Sequence, residues 1–309
     1  MSNTVWAYAT LGHKAPDLFD AVSEKAIHEL DTFTSQNMSN TVWAYATLGH
    51  EAPDLFNAIS GKAIHKLDTF TSQALSNTVW AYAIFGYEAF DLFEAVLSKV
   101  VTKLDECNDQ EITNILWSNA VMNTNPKALA VVFLHLSDQY ERKKIILSKE
   151  AMRQIHQASL WFTIEHGQTS LLPKALNKEC IIAFTSNQNT TSKLQKDVAE
   201  TFQSLGYDVN EEVICRKTGY SIDAVVTFKN VEVAVEVDGP SHFIGYQPTG
   251  NTILKHRQFR NLGDKPLVVV PYWEWNKISN EQRNNNKGGK NCSKAKEQYL
   301  QKLLFSSIK

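Results

Sequence analysis

The sequence predicts an α + α/β architecture, in which a solenoid of helical repeats precedes a small α/β domain. The segment Ser-Asn-Thr-Val-Trp-Ala-Tyr-Ala begins at Ser2, Ser39 and Ser76, so it recurs every 37 residues. From Ser192 onward the pattern changes to a helix, three strand-like runs, a second helix and a further strand. With 309 residues, of which 43% are hydrophobic, the chain is long enough for about two domains of ~150 residues.

Each repeat is predicted to form two helices. In the second copy Ser35 is expected to cap the first helix, and Gly49 is expected to end it. Pro53 then stands where a second helix tolerates proline in its first turn. Because a hairpin of this size cannot bury its apolar faces alone, the copies are expected to stack on one another.

One tryptophan keeps its place in every copy, and a weaker fourth copy preserves the phase. The four residues are Trp6, Trp43, Trp80 and Trp117. We expect these rings to be packing residues, with Trp43 and Trp80 buried between neighbouring repeats. An asparagine also recurs, as Asn3, Asn40, Asn77 and Asn114. It is expected to cap or bridge repeats or to present its amide to a ligand.

The repeat core, Leu or Met-x-Asn-x-x-Trp-Ala-x-Ala followed by Leu-Gly-His, resembles the octotricopeptide repeats of organellar RNA-binding proteins. It is also similar to the helical repeats of the FAST-kinase-like family. The resemblance covers about residues 1–125 and implies binding of single-stranded RNA, with Asn40 and Asn77 as candidate base contacts. Residues 1–110 carry 6 Lys and Arg against 14 Asp and Glu, which opposes strong phosphate binding. A second interpretation is therefore that the solenoid binds other proteins and makes no contact with RNA.

Five separated motifs characterise the C-terminal part. They are Gly219-Tyr-Ser-Ile-Asp223, Val235-Glu-Val-Asp-Gly-Pro-Ser-His-Phe243, Gly250-Asn-Thr-x-x-Lys-x-Arg257, Leu262-Gly263 and Val270-Pro-Tyr-x-x-Trp275. In this order and spacing they resemble the RAP domain, which is expected over residues 191–309. Residues 126–190 are expected to form an irregular helical cap and linker, and the polar tract 284–291 a loop. The resemblance implies a restriction-endonuclease-like fold.

Carboxylates in this module suggest a chemistry of their own. Glu236 and Asp238 lie two residues apart on one predicted strand, so both point to one side, and Asp223 on the neighbouring strand can join them. Clustered carboxylates favour a hard cation such as Mg²⁺, which could activate water at a phosphodiester. His242 is a candidate general acid or base. The basic residues Lys255, Arg257 and Arg260 are candidate RNA phosphate ligands.

The nuclease motif that the module resembles places a lysine two residues after its second carboxylate, where this chain has Asp238. We therefore expect an RNA-binding module that needs no cofactor. The alternative is a metal-dependent endoribonuclease that uses Asp223, Glu236 and Asp238 with Mg²⁺.

The resemblance implies a mitochondrial or plastid factor in RNA processing, stability or translation, with single-stranded RNA and organellar ribonucleoproteins as partners. No stretch approaches ~18 uninterrupted apolar residues, so no membrane partner is expected. No transit peptide is visible in residues 1–30, and Met1 is in phase with Met38 and Leu75 inside a predicted helix. The N-terminus is therefore expected to be truncated.

Overall fold

The computed structural model describes residues 1–186, 191–284 and 289–308, with side chains omitted for 282–292. It divides into two compact units. The first unit comprises Met1–Ala183 and Ile244–Leu254, and the second comprises Phe184–Phe243 and Lys255–Lys309. Because these units are defined by packing alone, the domain boundaries drawn from the sequence stay predictions. No helix in the described ranges combines the length and apolar character that crossing a membrane requires.

The first unit is built from helices that stack in two layers. The helices up to residue 185 are α1 (Ser2–Thr10), α2 (Pro16–Glu29), α3 (Ser35–Leu48), α4 (Pro53–Ile64), α5 (Ser72–Phe85), α6 (Phe90–Val101), α7 (Asp109–Val121), α8 (Pro126–Asp138), α9 (Lys149–Leu160) and α10 (Lys174–Thr185). One layer contains α1, α3, α5, α7 and α9, each packed on the next, and the other contains α2, α4, α6 and α8. The predicted stacking of helical repeats is confirmed. The region expected as an irregular cap contributes α8 to α10, with π-helical turns after α8 and α9.

Local sequence sets the ends of these helices. Thr34, one residue before the expected Ser35, caps α3: its hydroxyl accepts a hydrogen bond from the Asn37 backbone amide. The side-chain oxygen of Asn37 in turn accepts one from the Thr34 backbone amide. Gly49 ends α3 in the left-handed conformation with φ of 65°, as expected. Gly86 ends α5 in the same way. A capping threonine and a terminal glycine therefore set the two ends of both α3 and α5.

Tyrosines, rather than tryptophans, fill the interior between repeats. Tyr45 and Tyr82 are fully buried, and their hydroxyls donate to the carbonyls of Phe19 and Phe56, each at 2.6 Å. Burial raises the pKa of the Tyr82 hydroxyl far above its ordinary value, so it remains a donor. Each tyrosine ties a first helix to the second helix of the preceding repeat.

The prediction that Trp43 and Trp80 are buried between repeats is wrong. Both are only half-buried at the edge of the core, and Trp6 is 43% exposed. Trp43 lies two positions before the buried Tyr45, and two positions turn a helix by about 200°. The tryptophan therefore points away from the second-helix layer. Trp117 is the exception and is fully buried.

Lysines in the repeats pair with groups of the preceding repeat. Lys62 contacts Asp31, and Lys99 contacts Asp68 at 2.6 Å. Lys66 donates to the Phe33 carbonyl at 3.0 Å. Lys103 makes the equivalent contact one period later, at 3.4 Å to the Phe70 carbonyl. These four side chains are therefore committed to contacts between repeats.

The segment Ile244–Leu254 packs against the repeats although it follows the strands of the second unit in sequence. Gly250 lies against the Ala83 carbonyl so closely that a Cβ would overlap that oxygen. Ile253 reaches the Cα of Gly86, and Leu254 is fully buried in the repeat core. Glycine at 250 is thus required by a close backbone approach.

The second unit contains a four-stranded mixed sheet. Its elements and those of the intervening segment are α11 (Lys193–Ser204), β1 (Val209–Ile214), β2 (Ser221–Phe228), β3 (Val231–Asp238), β4 (Phe243–Ile244), β5 (Gln247–Pro248), α12 (Gly250–Leu262), β6 (Leu267–Pro271), α13 (Tyr272–Asn284) and α14 (Gly289–Ser307). The strand order is β1-β2-β3-β6, in which β6 alone pairs in parallel, with β3. The predicted α/β module is confirmed. Of the loop expected over 284–291, residues 285–288 lie outside the described residues, and 289–291 are helical rather than looped.

One face of this sheet supports the core of the second unit. Val233, Val235 and Val237 of β3 are buried there with Phe202 of α11. Trp275 of α13 is buried with them, and its indole donates to Asp197 at 2.7 Å. The alternate residues of β3 consequently face the opposite side of the sheet.

Candidate functional site

Two carboxylates lie at the end of β3, on the face opposite the valine core. Strict alternation of Val with Glu236 and Asp238 places both there, and Gly239-Pro240 ends the strand. Both side chains are only 1% exposed, although each is an acid. The neighbouring parallel strand pairs Val270 with Val237 and Pro271 with Asp238. The fold therefore holds two acids away from water, which is costly unless something compensates their charge.

Asp223 of β2 lies beside this pair but is already satisfied. One of its oxygens accepts from the Val237 amide at 2.7 Å, and the other accepts from the Gln195 side chain at 2.7 Å. Its charge nevertheless acts on Glu236. Asp223 therefore braces β3 through the backbone between the two acids, and its oxygens are not in the group of close ligand atoms described below.

Lys255 of α12 is the cation of the cluster. Its ammonium lies 2.5 Å from one oxygen of Glu236, and the side chain is mostly buried. Burial raises the pKa of the Glu236 carboxyl to about 8, the charges of Asp223 and Asp238 push it in the same direction, and Lys255 opposes them. A lysine from α12, and not from β3, therefore lies beside Glu236.

Two histidines approach Asp238. Nε2 of His256, on α12, lies 3.3 Å from one carboxylate oxygen, and Nδ1 of His242 lies 3.2 Å from the other. His256 is 8% exposed, whereas His242 is partly open to solvent. The expected neighbourhood of Asp238 and His242 is present, and its role in catalysis stays a prediction. Sequence reasoning missed His256, because the sequence does not tell which face of α12 turns toward β3.

Several buried polar atoms of this cluster have no hydrogen-bond partner in the part of the chain that the structure describes. They are one oxygen of Glu236, both oxygens of Asp238 and Nε2 of His256. The ligand atoms of these three residues lie within 4.8 Å of one another. Two carboxylates and an imidazole at this separation could hold a cation.

The predicted phosphate ligands on α12 differ in their surroundings. Lys255 is engaged with Glu236, Arg257 is half-buried and Arg260 is exposed. Only Arg260 of the three is fully presented to solvent. RNA contact by these residues stays a prediction.

A second polar surface lies on the first-helix layer of the repeats. Asn40 of α3 and Asn77 of α5 are half-buried and line one shallow cavity of about 180 Å³. The remaining lining residues are Ser35, Gln36, Ser39, Thr71, Gln73 and Ala74. Trp43 and Trp80 follow three positions later on the same helix faces. Amide groups and indole edges thus recur along this layer, which we call the Asn/Trp stripe (Asn3, Trp6, Asn40, Trp43, Asn77 and Trp80).

The stripe ends at the fourth copy. There the side chains of Gln110 and Gln154 donate to Asn114, at 2.9 and 3.1 Å. The indole of Trp117 donates to Gln157 of α9 at 3.1 Å. In the last copy, Asn114 and Trp117 are therefore hydrogen-bonded to side chains of the protein itself.

Models of known protein families match both the N-terminal and the C-terminal part of the chain. The family model described as RNA-editing substrate-binding complex 6 protein matches residues 1–160, more than half of the chain. The RAP domain model matches residues 235–286, which include Glu236, Asp238 and His256.

A curated relative, "RAP domain-containing protein, chloroplastic" of Oryza sativa subsp. japonica, is 29% identical over 153 residues. That match covers 47% of this chain and 22% of the relative, so the chain spans less than a quarter of its length. The resemblance to the RAP domain is confirmed. The chain belongs to the RNA-editing substrate-binding complex 6 protein family and carries a RAP domain in its C-terminal half.

Proposed function

We propose that this protein is an RNA-binding factor of an organelle, in which the helical repeats bind single-stranded RNA beside a RAP domain. The observation that carries the proposal is the Asn/Trp stripe, which offers amides and indoles at a constant period. Unpaired bases are recognised by hydrogen bonds to their edges and by stacking on aromatic rings. The names of the matching family and of the chloroplastic relative support an RNA-associated, organellar role.

The stripe would contact bases more than phosphates. Acidic residues outnumber basic ones in residues 1–110, and four of the six lysines there are directed into contacts between repeats. Few cations are therefore left on the repeats to release counterions when RNA binds. We expect a shallow dependence of affinity on salt, with any phosphate contribution coming from basic residues such as Arg260.

The test measures binding of the purified protein to a pool of short single-stranded RNAs of mixed sequence. The Asn40→Ala, Asn77→Ala double variant and Trp6→Ala are expected to weaken binding about 10-fold each, since a stacked base contributes ~1–3 kcal/mol. Asn57→Ala is the matched control, because Asn57 is exposed on α4 in the other layer. Failure of the wild-type protein to bind RNA would favour the protein-interaction solenoid and overturn the proposal.

Imaging of the tagged full-length protein tests the proposed organellar location. Exclusion of the protein from both mitochondria and plastids would contradict this location. Processing, stability and translation of organellar RNA, with ribonucleoprotein partners, are the roles that the resemblance implies. Crosslinking followed by sequencing of the bound RNA would identify which transcripts are involved.

A second candidate is a metal-dependent endoribonuclease, favoured by one observation. Lys255 supplies an ammonium beside Glu236, and an ammonium next to a carboxylate cluster could stabilise the negative charge that develops on a phosphodiester during cleavage. RNA cleavage that requires a divalent cation and is lost in Lys255→Met would support this candidate. RNA binding without cleavage would reject the endoribonuclease and support the RNA-binding factor.

A further inference from the structure

We infer that Glu236, Asp238 and His256 form a binding site for one divalent transition-metal ion, with Mn²⁺ or Zn²⁺ preferred over Mg²⁺. This inference differs from the magnesium site expected at Asp223, Glu236 and Asp238, because an imidazole replaces the third carboxylate. It depends neither on RNA binding nor on cleavage.

Unsatisfied buried charge is the first argument. Glu236 and Asp238 are almost completely buried, yet one oxygen of the first and both oxygens of the second lack a hydrogen-bond partner among the described residues. Burying an acid whose oxygens are not all hydrogen-bonded is destabilising. The acids Asp223, Glu236 and Asp238 lie around the single ammonium of Lys255. A divalent ion would offset the negative charge of these acids in their ionised forms, and it would bind the oxygens that lack a hydrogen-bond partner.

The position of the unpaired nitrogen is the second argument. His256 is also buried, its Nε2 has no hydrogen-bond partner in the described ranges, and this nitrogen lies 3.3 Å from an Asp238 oxygen. All three ligand atoms lie within 4.8 Å of one another, a spacing that ligands of one ion can have. Strand β3 is paired with a neighbour on each side, and Gln258 of α12 accepts a hydrogen bond from the Tyr220 hydroxyl at 2.9 Å, so the donors are preorganised.

The donor types decide which ion fits. Imidazole suits Zn²⁺ and other transition metals, whereas Mg²⁺ prefers oxygen ligands and gives up its water reluctantly. Three protein ligands leave further coordination positions for water or for a substrate oxygen. The site therefore has the composition of an open transition-metal site.

Two neighbours position these ligands. Lys255 holds one oxygen of Glu236 at 2.5 Å, which leaves the other oxygen facing the ion. Asp223 fixes the strand between the two acids by accepting from the Val237 amide. Outer partners of this kind commonly change metal affinity 10- to 100-fold when removed. Lys255 and Asp223 are positioning residues rather than ligands.

The experiment titrates the purified full-length chain, first treated with a chelator, with MnCl₂, ZnCl₂ or MgCl₂ in separate calorimetric runs. Electron paramagnetic resonance of Mn²⁺ and the thermal midpoint are recorded in parallel. We expect saturable binding of one Mn²⁺ or Zn²⁺ per chain, at least 10-fold tighter than Mg²⁺, with a rise in the thermal midpoint.

Variants identify the ligands. His256→Gln should weaken Mn²⁺ and Zn²⁺ at least 10-fold and reduce the preference over Mg²⁺, and Asp238→Asn should abolish binding. His65→Gln is the control, because His65 is exposed on the repeats. Circular dichroism of each variant verifies that it is folded.

Absence of saturable binding to the folded wild-type chain would overturn the inference. So would unchanged affinity in His256→Gln, or magnesium binding as tight as manganese binding. A chain that binds Mn²⁺ but neither binds nor cuts RNA would support the site while rejecting the functional proposal, so the two failures are distinguishable.

Discussion

Buried polar groups in the first three repeats have partners, whereas those of the RAP-domain cluster are left without them. In the repeats, the hydroxyls of Tyr45 and Tyr82 each donate to a carbonyl of the preceding repeat. In the cluster, Glu236 and Asp238 are equally buried but keep unpaired oxygens. A buried polar group that is hydrogen-bonded stabilises a fold, whereas a buried acid without hydrogen bonds destabilises it unless a ligand binds there. The difference distinguishes packing residues from candidate site residues within one chain.

The largest expected effect concerns the tyrosines between repeats. Tyr82→Ala should lower the free energy of unfolding by ~3–5 kcal/mol, as for other large core truncations. Trp6→Ala should cost below ~1 kcal/mol, since that ring is 43% exposed. Urea denaturation followed by circular dichroism measures both. Equal losses would show that the indoles contribute to the core as much as the tyrosines do.

Glycine 250 provides the next test, because it lies in the segment that packs with the repeats. Gly250→Ala should destabilise the protein by ~1–3 kcal/mol, since its Cβ would overlap the Ala83 carbonyl. Gly61→Ala is the matched control. Gly61 lies inside α4 with open space around it, so alanine there should stabilise by ~0.5–1 kcal/mol. Thermal melts of both variants would show opposite signs, and a neutral Gly250→Ala would mean that the segment is not held closely.

Removing a buried acid whose oxygens lack hydrogen bonds should change stability in the opposite direction from removing a hydrogen-bonded group. In the presence of a chelator, Asp238→Asn is expected to raise the free energy of unfolding by ~0.5–2 kcal/mol, because the buried carboxylate is unsatisfied. Tyr82→Phe should lower it by about 1–2 kcal/mol, because the buried hydrogen bond from the Tyr82 hydroxyl to the Phe56 carbonyl is lost. Chemical denaturation of the two variants in the same buffer tests this contrast. A loss of stability in Asp238→Asn would contradict this prediction and show that the carboxylate stabilises the fold.

The smallest effect is expected from the exposed ion pairs between repeats. Lys62 holds the pKa of Asp31 below its ordinary value, and Lys99 does the same for Asp68. A depressed acid pKa stabilises the fold above about pH 4, and this contribution is lost as the pH falls through the lower folded value.

The Asp31→Asn, Asp68→Asn double variant should therefore match the wild type at acidic pH and fall only slightly below it at pH 7. Thermal midpoints across this pH range measure the difference. A gap that widens toward low pH would contradict the assignment.

Much of the fold could be predicted because periodicity carries it. A fixed spacing, a capping residue and a glycine define each first helix, and the alternation of valine with acids defines β3. The orientation of the aromatic residues could not be predicted in the same way. Trp43 and Tyr45 lie on one helix two positions apart, and composition does not tell which of the two faces the second layer. Only the packing against Phe19 decides it.

The candidate site, too, could be predicted only in part. Strand alternation was sufficient to bring Glu236 and Asp238 to one face, but the third ligand came from a helix whose rotation the sequence left open. Asp223 lies beside the pair, as the sequence predicts, and its role as a ligand stays a prediction. The hydrogen bond that one of its oxygens accepts from the Val237 amide depends on the register between β2 and β3. Tertiary contacts that depend on register, such as this one, have no signature in a single sequence.

The bond from Tyr45 to Phe19 and the bond from Tyr82 to Phe56 span the same number of residues and have the same length. Every junction between the early repeats is therefore interchangeable with its neighbour. A gain or loss of one period of 37 residues would therefore join the chain at a junction that the molecule already contains. An array of this kind can change its length without any redesign of its interior.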